Sequence, residues 1–294
     1  MASDTSPRKR PEPPFDGHEH MEPPGLESEV TPRPQYRAPY YKGSDKLRDR
    51  VALITGGDSG IGRATAVLFA REGANVAIVC LPEEQSDADE TVRAIEDEGR
   101  ECHVFTGDIR DRECCERAVQ ETIDRFGDLH ILVNNAAFQN HVDLDELSLD
   151  QWKRTLDTNL TGMFQMTMAA LPHLDEGGCI INTGSVTGLE GSAGLLDYST
   201  TKGGIHAFTK TLAQMVADRG IRVNCVAPGP VWTPLNPAER DPDSIESFGE
   251  NTPFGRPGQP EEIAPAYVYF ASDQMSGWVS GEVLTLLGGA TRAG

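Results

Sequence analysis

The stretch Val51-Ala52-Leu53-Ile54-Thr55-Gly56-Gly57-Asp58-Ser59-Gly60-Ile61-Gly62-Arg63 joins five mostly apolar residues to a glycine-rich turn and then to a helical pattern. Val51–Thr55 has no polar alternation, which is how a strand covered on both faces reads. The glycines allow a tight turn and a close approach of backbone to a ligand. Outward from this point the pattern repeats. Apolar runs at Asn75–Leu81, Glu101–Thr106, His130–Asn134, Gly178–Thr183, Ile221–Ala227 and Glu282–Leu287 alternate with helical stretches at Ile61–Glu72, Ser86–Glu98, Arg112–Phe126, Leu149–Leu171, Tyr198–Arg219 and Pro260–Ser272. Seven strands linked by six crossovers predict an α/β fold: a single doubly wound (Rossmann) domain with a seven-stranded parallel sheet, over residues 49–294.

Composition removes several alternatives. The 294 residues carry 26 Lys+Arg against 46 Asp+Glu, a formal charge of −20, which opposes nucleic acid or an anionic membrane as partner. No run approaches the ~18 apolar residues of a membrane span, and no apolar leader opens the chain. The six cysteines include no Cys-x-x-Cys pair and no zinc-type spacing, so no metal is expected and a reducing cytoplasm fits. Residues 1–48 differ from the rest. They hold nine of the 20 prolines and balance eight basic against eight acidic residues, so the remaining chain carries the whole −20. They read as a Pro-rich N-terminal arm, partly disordered, with Tyr36, Tyr40 and Tyr41 available to anchor its later part. The triplet Arg8-Lys9-Arg10, with acids nearby, reads as solvated tail. Between residues 230 and 259 six prolines interrupt any regular pattern, as in a substrate lid containing Trp232, Asn236, Glu239, Arg240, Asp241 and Phe248.

Between strand and helix of a βαβ unit, the Gly56–Gly62 turn predicts a dinucleotide whose pyrophosphate meets Asp58, Ser59, Gly60, Ile61 and Gly62 at the helix start. The spacing Gly56-x-x-x-Gly60-x-Gly62 resembles that of the short-chain dehydrogenase/reductase family. The resemblance continues in order along residues ~49–290. Asn134-Asn135-Ala136-Ala137 is similar to the family's NNAG, with Ala137 replacing glycine, and Pro228-Gly229, followed by Val231 and Thr233, is similar to its nicotinamide-side turn. Asp108, with Ile109, matches its adenine-contacting acid. Arm and body together resemble the subgroup of glucose/ribitol-dehydrogenase-like general stress oxidoreductases. The resemblance implies cofactor contacts at Asn135, Ala136, Asp108, Ile109, Pro228, Gly229, Val231 and Thr233.

Tyr198 and Lys202 stand at i and i+4, hence on one helix face. A phenol of pKa ~10 is a poor base at neutral pH, and an adjacent ammonium lowers that value toward use. The family likeness implies Tyr198 and Lys202 as both cofactor-contacting and catalytic, Ser185 as hydrogen-bonding the substrate oxygen, and Asn159 as holding a water near the lysine. The expected activity is hydride transfer between a nicotinamide and a secondary alcohol or polyol, or the matching aldehyde or ketone. The substrate is expected under Leu189–Asp197 and the 230–259 loop. NAD is favoured over NADP, because Asp58, Glu83 and Glu84 stand where a 2′-phosphate would need cations; only Arg63, reaching back, could serve one. A non-catalytic dinucleotide sensor on the same fold is the alternative. Family analogy implies a homotetramer.

Overall fold

In the computed structural model, which describes residues 10–15, 21, 24–238 and 242–291, seven strands make one parallel sheet. They are β1 (Val51–Thr55), β2 (Asn75–Cys80), β3 (Cys102–Thr106), β4 (Ile131–Asn134), β5 (Cys179–Thr183), β6 (Arg222–Pro228) and β7 (Val283–Leu286), in the order β3-β2-β1-β4-β5-β6-β7. The helices are α1 (Gly60–Arg71), α2 (Gln85–Asp97), α3 (Arg112–Phe126), α4 (Leu149–Leu156), α5 (Met163–Ala170), α6 (Thr187–Glu190), α7 (Leu196–Met215), α8 (Pro242–Glu246), α9 (Pro260–Ala271) and α10 (Asp273–Ser276).

Register explains the apolar runs. Ile54 lies between Ile78 of β2 and Val133 of β4, at the centre of the sheet. Ala52, Ile54, Val76 and Ile78 pack with α1, α2 and α9, whereas Leu53, Ala77 and Val79 pack with α3, α5 and α7. Both faces are thus buried, each large aliphatic side chain contributing about 1.5–3 kcal/mol. Because all strands are parallel, their carboxyl ends share one edge. The order turns about β1 and β4, and the crevice there is where ligands of such sheets bind.

The fourth crossover, expected as one helix over Leu149–Leu171, is interrupted by a π-helical turn at Asp157–Gly162. Gly162 lies so close to Ile109 that an added Cβ would stand 2.9 Å from Ile109 Cγ1. The wider turn re-aims the side chains around Asn159, a common use of π turns near sites.

The arm lies against the body. Tyr36 Oη donates to Glu90 Oε1 at 2.8 Å, Tyr41 Oη donates to Glu72, and Tyr40 Oη donates to the Glu261 carbonyl at 3.3 Å. Phe15 stacks on Trp232 with ring centroids 4.2 Å apart, and Met21, Val30, Ala238, Ile245 and Phe248 complete a small separate core. Trp232 Nε1 donates to the Pro32 carbonyl at 2.7 Å. Trp232 is therefore not a substrate-facing lid residue; the indole needed both apolar cover and one acceptor, and the arm supplies them. Glu239, Arg240 and Asp241 of the lid, and Arg8 and Lys9 of the basic triplet, lie outside the described residues.

Gly62 is fixed by the helix-to-strand approach: a Cβ there would overlap the Gly56 carbonyl. Backbone cannot yield as a flexible side chain can. Gly62→Ala is expected to lower unfolding free energy by about 2 kcal/mol or more in urea melts. Gly203→Ala in α7, whose Cβ would stand 3.4 Å from the Gly188 carbonyl oxygen of α6, should be neutral or slightly stabilising.

Candidate active site

A cavity of about 370 Å³ opens along the carboxyl ends of the strands. Every predicted cofactor residue except Gly62 lines it, as do Ser185, Tyr198 and Lys202. Gly62 sits beneath the turn, and Asn159 stands behind the wall.

At the glycine end, Gly56 (φ +62°) and Gly60 (φ +51°) adopt left-handed backbone that other residues resist. Asn135 straps this turn to β4: its Nδ2 donates to the carbonyls of Thr55 (3.2 Å) and Gly56 (2.9 Å). Thr55 Oγ1 accepts the N–H groups of Asn135 and Ala136 at 3.0 and 3.1 Å. Thr233 closes over the start of α1, where a Cβ on Gly60 would stand 3.1 Å from Thr233 Cγ2. The result is a slot with backbone on one wall and a threonine on the other.

Farther along, Cys80, Leu81, Glu84 and Asp58 form the end beside β2. Asp58 is buried, its Oδ1 has no protein partner among the described residues, and burial raises its pKa. Burial, then the neighbouring Asp58, also raises that of Glu84, whose Oε2 accepts the Leu81 N–H at 2.8 Å. Asp108 is engaged by Arg110, with Nε and Nη2 on Oδ2 at 2.8 and 2.5 Å. Arg63, the one residue considered able to reach a 2′-phosphate, is corrected by the structure. It is fully buried, with Nε on the Asp58 carbonyl at 2.7 Å and Nη1 on Glu27 at 2.6 Å.

At the other end, α7 places Tyr198 in its first turn and Lys202 one turn later, with Lys202 Nζ 5.2 Å from the Tyr198 ring centroid. Lys202 is buried, donates to the Thr183 carbonyl at 2.8 Å, and has no ion-pair partner among the described residues. Burial pulls its pKa down to about 8. A buried, unpaired ammonium is costly, and such groups concentrate where chemistry needs them. Ser185 Oγ accepts from Thr187 N–H at 3.1 Å and from Thr187 Oγ1 at 3.0 Å. With both acceptor positions used, its own hydrogen is left to point elsewhere.

Asn159 makes its side-chain hydrogen bonds within the chain. Its Oδ1 accepts the Phe138 N–H at 2.7 Å, and its Nδ2 donates to the Phe138 carbonyl at 2.8 Å and to Thr201 Oγ1 at 3.1 Å. Thr201 Oγ1 donates in turn to the Tyr198 carbonyl at 2.7 Å. The carboxamide holds α7 and the segment after β4 in place, because the π turn directs it inward. Sequence reasoning missed Asp197, whose Oδ1 accepts the Tyr198 N–H at 2.8 Å and whose Oδ2 accepts from Thr155 Oγ1 at 2.6 Å. An acid in the first turn of a helix was the available signal. It also missed Thr187 and Gln139 as wall residues, whereas Ser192 and Leu195 fall within the expected 189–197 segment.

A family profile described as "Enoyl-(Acyl carrier protein) reductase" matches residues 56–291. The uncharacterized oxidoreductase YhdF of Bacillus subtilis (strain 168) is 52% identical over 267 residues, covering 90% of this chain and 92% of its own. General stress protein 39 of the same organism is 48% identical over 90% and 93%, and the glucose and ribitol dehydrogenase of Daucus carota 43% over 91% and 94%. A solved short-chain dehydrogenase from Burkholderia cenocepacia J2315, in complex with NADP, superposes with a TM-score of 0.78 at 33% identity, over 83% of this chain and 98% of its own. The chain belongs to the short-chain dehydrogenase/reductase family of oxidoreductases. Within that family it is of the glucose/ribitol-dehydrogenase-like type.

His206 follows Lys202 by one turn, and its Nε2 accepts the Ser185 N–H at 3.4 Å. Burial, then Lys202, lowers its pKa from 6.5 to about 4. Between those values the unfolded chain takes a proton that the folded chain refuses. This contribution to stability is therefore complete above pH 6.5 and lost as pH falls to about 4. Melting curves of His206→Gln should lack this part of the acid-side slope, on the order of 1–3 kcal/mol, while retaining that of the carboxylates.

Proposed function

We propose that the protein is an NAD-dependent dehydrogenase/reductase that interconverts a secondary alcohol or polyol with the corresponding carbonyl compound, using Tyr198 as acid/base. The observation that carries this reading is the buried Lys202 ammonium beside Tyr198, without a carboxylate among the described residues to neutralise it. The slot between Gly56–Ile61 and Thr233, continuous with Tyr198 through Pro228 and Gly229, fits a dinucleotide. Bound there, the nicotinamide would supply or accept the hydride. The remaining work belongs to the chain. Tyr198 Oη gives a proton to the carbonyl oxygen in reduction and recovers it in oxidation. The Lys202 charge favours the phenolate that must form, and Ser185 Oγ–H, oriented by Thr187, donates to the substrate oxygen. Asn159 and Asp197 keep Tyr198 in register. Leu195 and Phe248 form apolar walls, while Gln139, Ser192 and Asn236 offer hydrogen bonds to hydroxyl groups.

NAD is the favoured cofactor. The cations lining the cavity among the described residues are Arg110, Arg154 and Lys202, and Arg110 is bound to Asp108. Asp58 and Glu84 line the end where a 2′-phosphate would add charge, and the buried Asp58 Oδ1, without a partner among the described residues, suits a ribose hydroxyl. A homotetramer is supported by exposed Phe164 and Met168 on α5, exposed Met215 at the end of α7, and exposed Met275 and Trp278 shortly before β7 in the chain. Reduced cysteines, all six free among the described residues, agree with a cytoplasmic setting.

Tyr198→Phe should lower kcat by about 10²–10⁴-fold across a panel of polyols, aldehydes and ketones, while NADH fluorescence titration still reports binding. Equal binding with no turnover by the wild type would instead favour the sensor. Side-by-side kcat/KM values should favour NAD over NADP by at least about tenfold, equivalent to 1.4 kcal/mol. The reverse preference would defeat the cofactor assignment without touching that of Tyr198.

A further inference from the structure

Glu27 lies in a short 3₁₀ turn of the arm, Glu27–Glu29, and is fully buried. Its Oε2 accepts the Gly60 N–H at 2.6 Å, and its Oε1 accepts Arg63 Nη1 at 2.6 Å. Gly60 is the first residue of α1 and lines the cavity together with Asp58, Ser59 and the arm residue Pro24. A backbone N–H at a helix start, with a guanidinium beside it, is a donor set suited to a phosphate. Here a carboxylate of the chain itself takes both donors.

The surroundings hold Arg63 in that role. Its Nη2 donates to the Asp87 carbonyl at 3.1 Å and faces Asp87 Oδ1 at 3.2 Å; Tyr36 covers its Cζ at 5.0 Å from the ring centroid. Glu90 stands 3.7 Å from Nη1, and the Glu27 N–H donates to Asp87 Oδ2 at 2.7 Å. One cation therefore answers several acids, Asp58 included. Burial pushes Glu27 up to about 7 despite the opposing pull of Arg63 and the Gly60 N–H. A further anion placed here would meet net negative charge and no free donor from Arg63.

We propose that Glu27 is a specificity-determining residue of the dinucleotide site: from behind the cavity wall it engages Arg63 Nη1 and neutralises the cation beneath Asp58 and Ser59, so that this end of the site excludes a 2′-phosphate. The inference rests on the NAD reading above. It makes the arm, which lies outside the family core, part of the cofactor site.

The test uses the full chain and equilibrium dissociation constants for NADH and NADPH from fluorescence titration, with kcat/KM ratios as a second readout. Glu27→Gln keeps the shape but removes the charge; NADPH affinity relative to NADH should rise at least about tenfold. Glu27→Gln with Arg63→Met should lose that gain, because the donor is gone. An unchanged ratio in Glu27→Gln, or a gain that persists without Arg63, overturns the proposal. If Glu27→Gln does not fold, Glu27→Asp, whose shorter carboxylate cannot span both donors, should shift the ratio in the same direction, and no shift there also overturns it. A wild type that prefers NADP overturns the NAD reading and this proposal together, whereas a wild type that prefers NAD with an unchanged ratio in Glu27→Gln overturns the proposal alone.

Discussion

The Arg63 guanidinium is where the glycine turn, α2 and the arm meet. Taking such a group out of water costs several kcal/mol unless its donors and its charge are both answered. The turn answers with the Asp58 carbonyl, α2 with Thr91 Oγ1 and with the Asp87 carbonyl and carboxylate, and the arm with Glu27. Each segment is thereby held by a group it cannot easily leave. The turn that carries the cavity wall is fixed from below by Arg63 and from the side by Asn135. Rigidity at that point is useful, because a slot lined by backbone offers fixed donors only if the backbone does not move.

The other end of the cavity is organised on the same plan, by polar groups behind the wall. Asn159, Thr201, Asp197 and Thr155 connect the π turn and α4 to the first turn of α7. A regular helix through 157–162 would rotate Asn159 away from Phe138 and break the connection. The interruption thus aims Tyr198 without contacting the cavity. Lys202 stays buried with its Nζ donating to the Thr183 carbonyl, and among the described residues no acid pairs with it. A carboxylate there would stabilise the ammonium, but it would also cancel the positive field that Tyr198 requires.

Much of this was legible in the sequence, for a physical reason. Buried parallel strands must be apolar on both faces, so Val51–Thr55 and its fellows are visible without knowledge of their partners. Tyr198 and Lys202 are readable as a pair because helical periodicity is local. The π turn was not legible, since one additional residue per turn leaves no compositional trace. Trp232 looked like a lid residue because its cover, Phe15, lies more than 200 positions earlier. Arg63 was similarly misread: its partners Glu27 and Asp87 become neighbours only when the arm is laid across α1 and α2. Contacts of long sequence separation that involve no repeated pattern are beyond a reading of one chain.

The charge distribution gives the arm its placement. The body carries the whole excess of acid, whereas the arm balances its charges. Its cations pair outward with body carboxylates: Arg10 with Glu261, Arg33 with Glu90, Arg37 with Asp97, and Lys46 with Glu72. Exposed pairs such as Arg37–Asp97 contribute little energy, roughly 0–1 kcal/mol. Attachment must come mainly from burying Phe15, Val30, Tyr36 and Leu47. The ion pairs instead select the path, because a displaced arm would set Glu27 or Glu29 against an acidic surface. Among the described residues, only at Arg63 does the body offer a buried cation to an acid of the arm, and there the pairing is inverted. A neutral arm on an acidic body is thus registered by a reversed pair that lies behind the wall of the cavity.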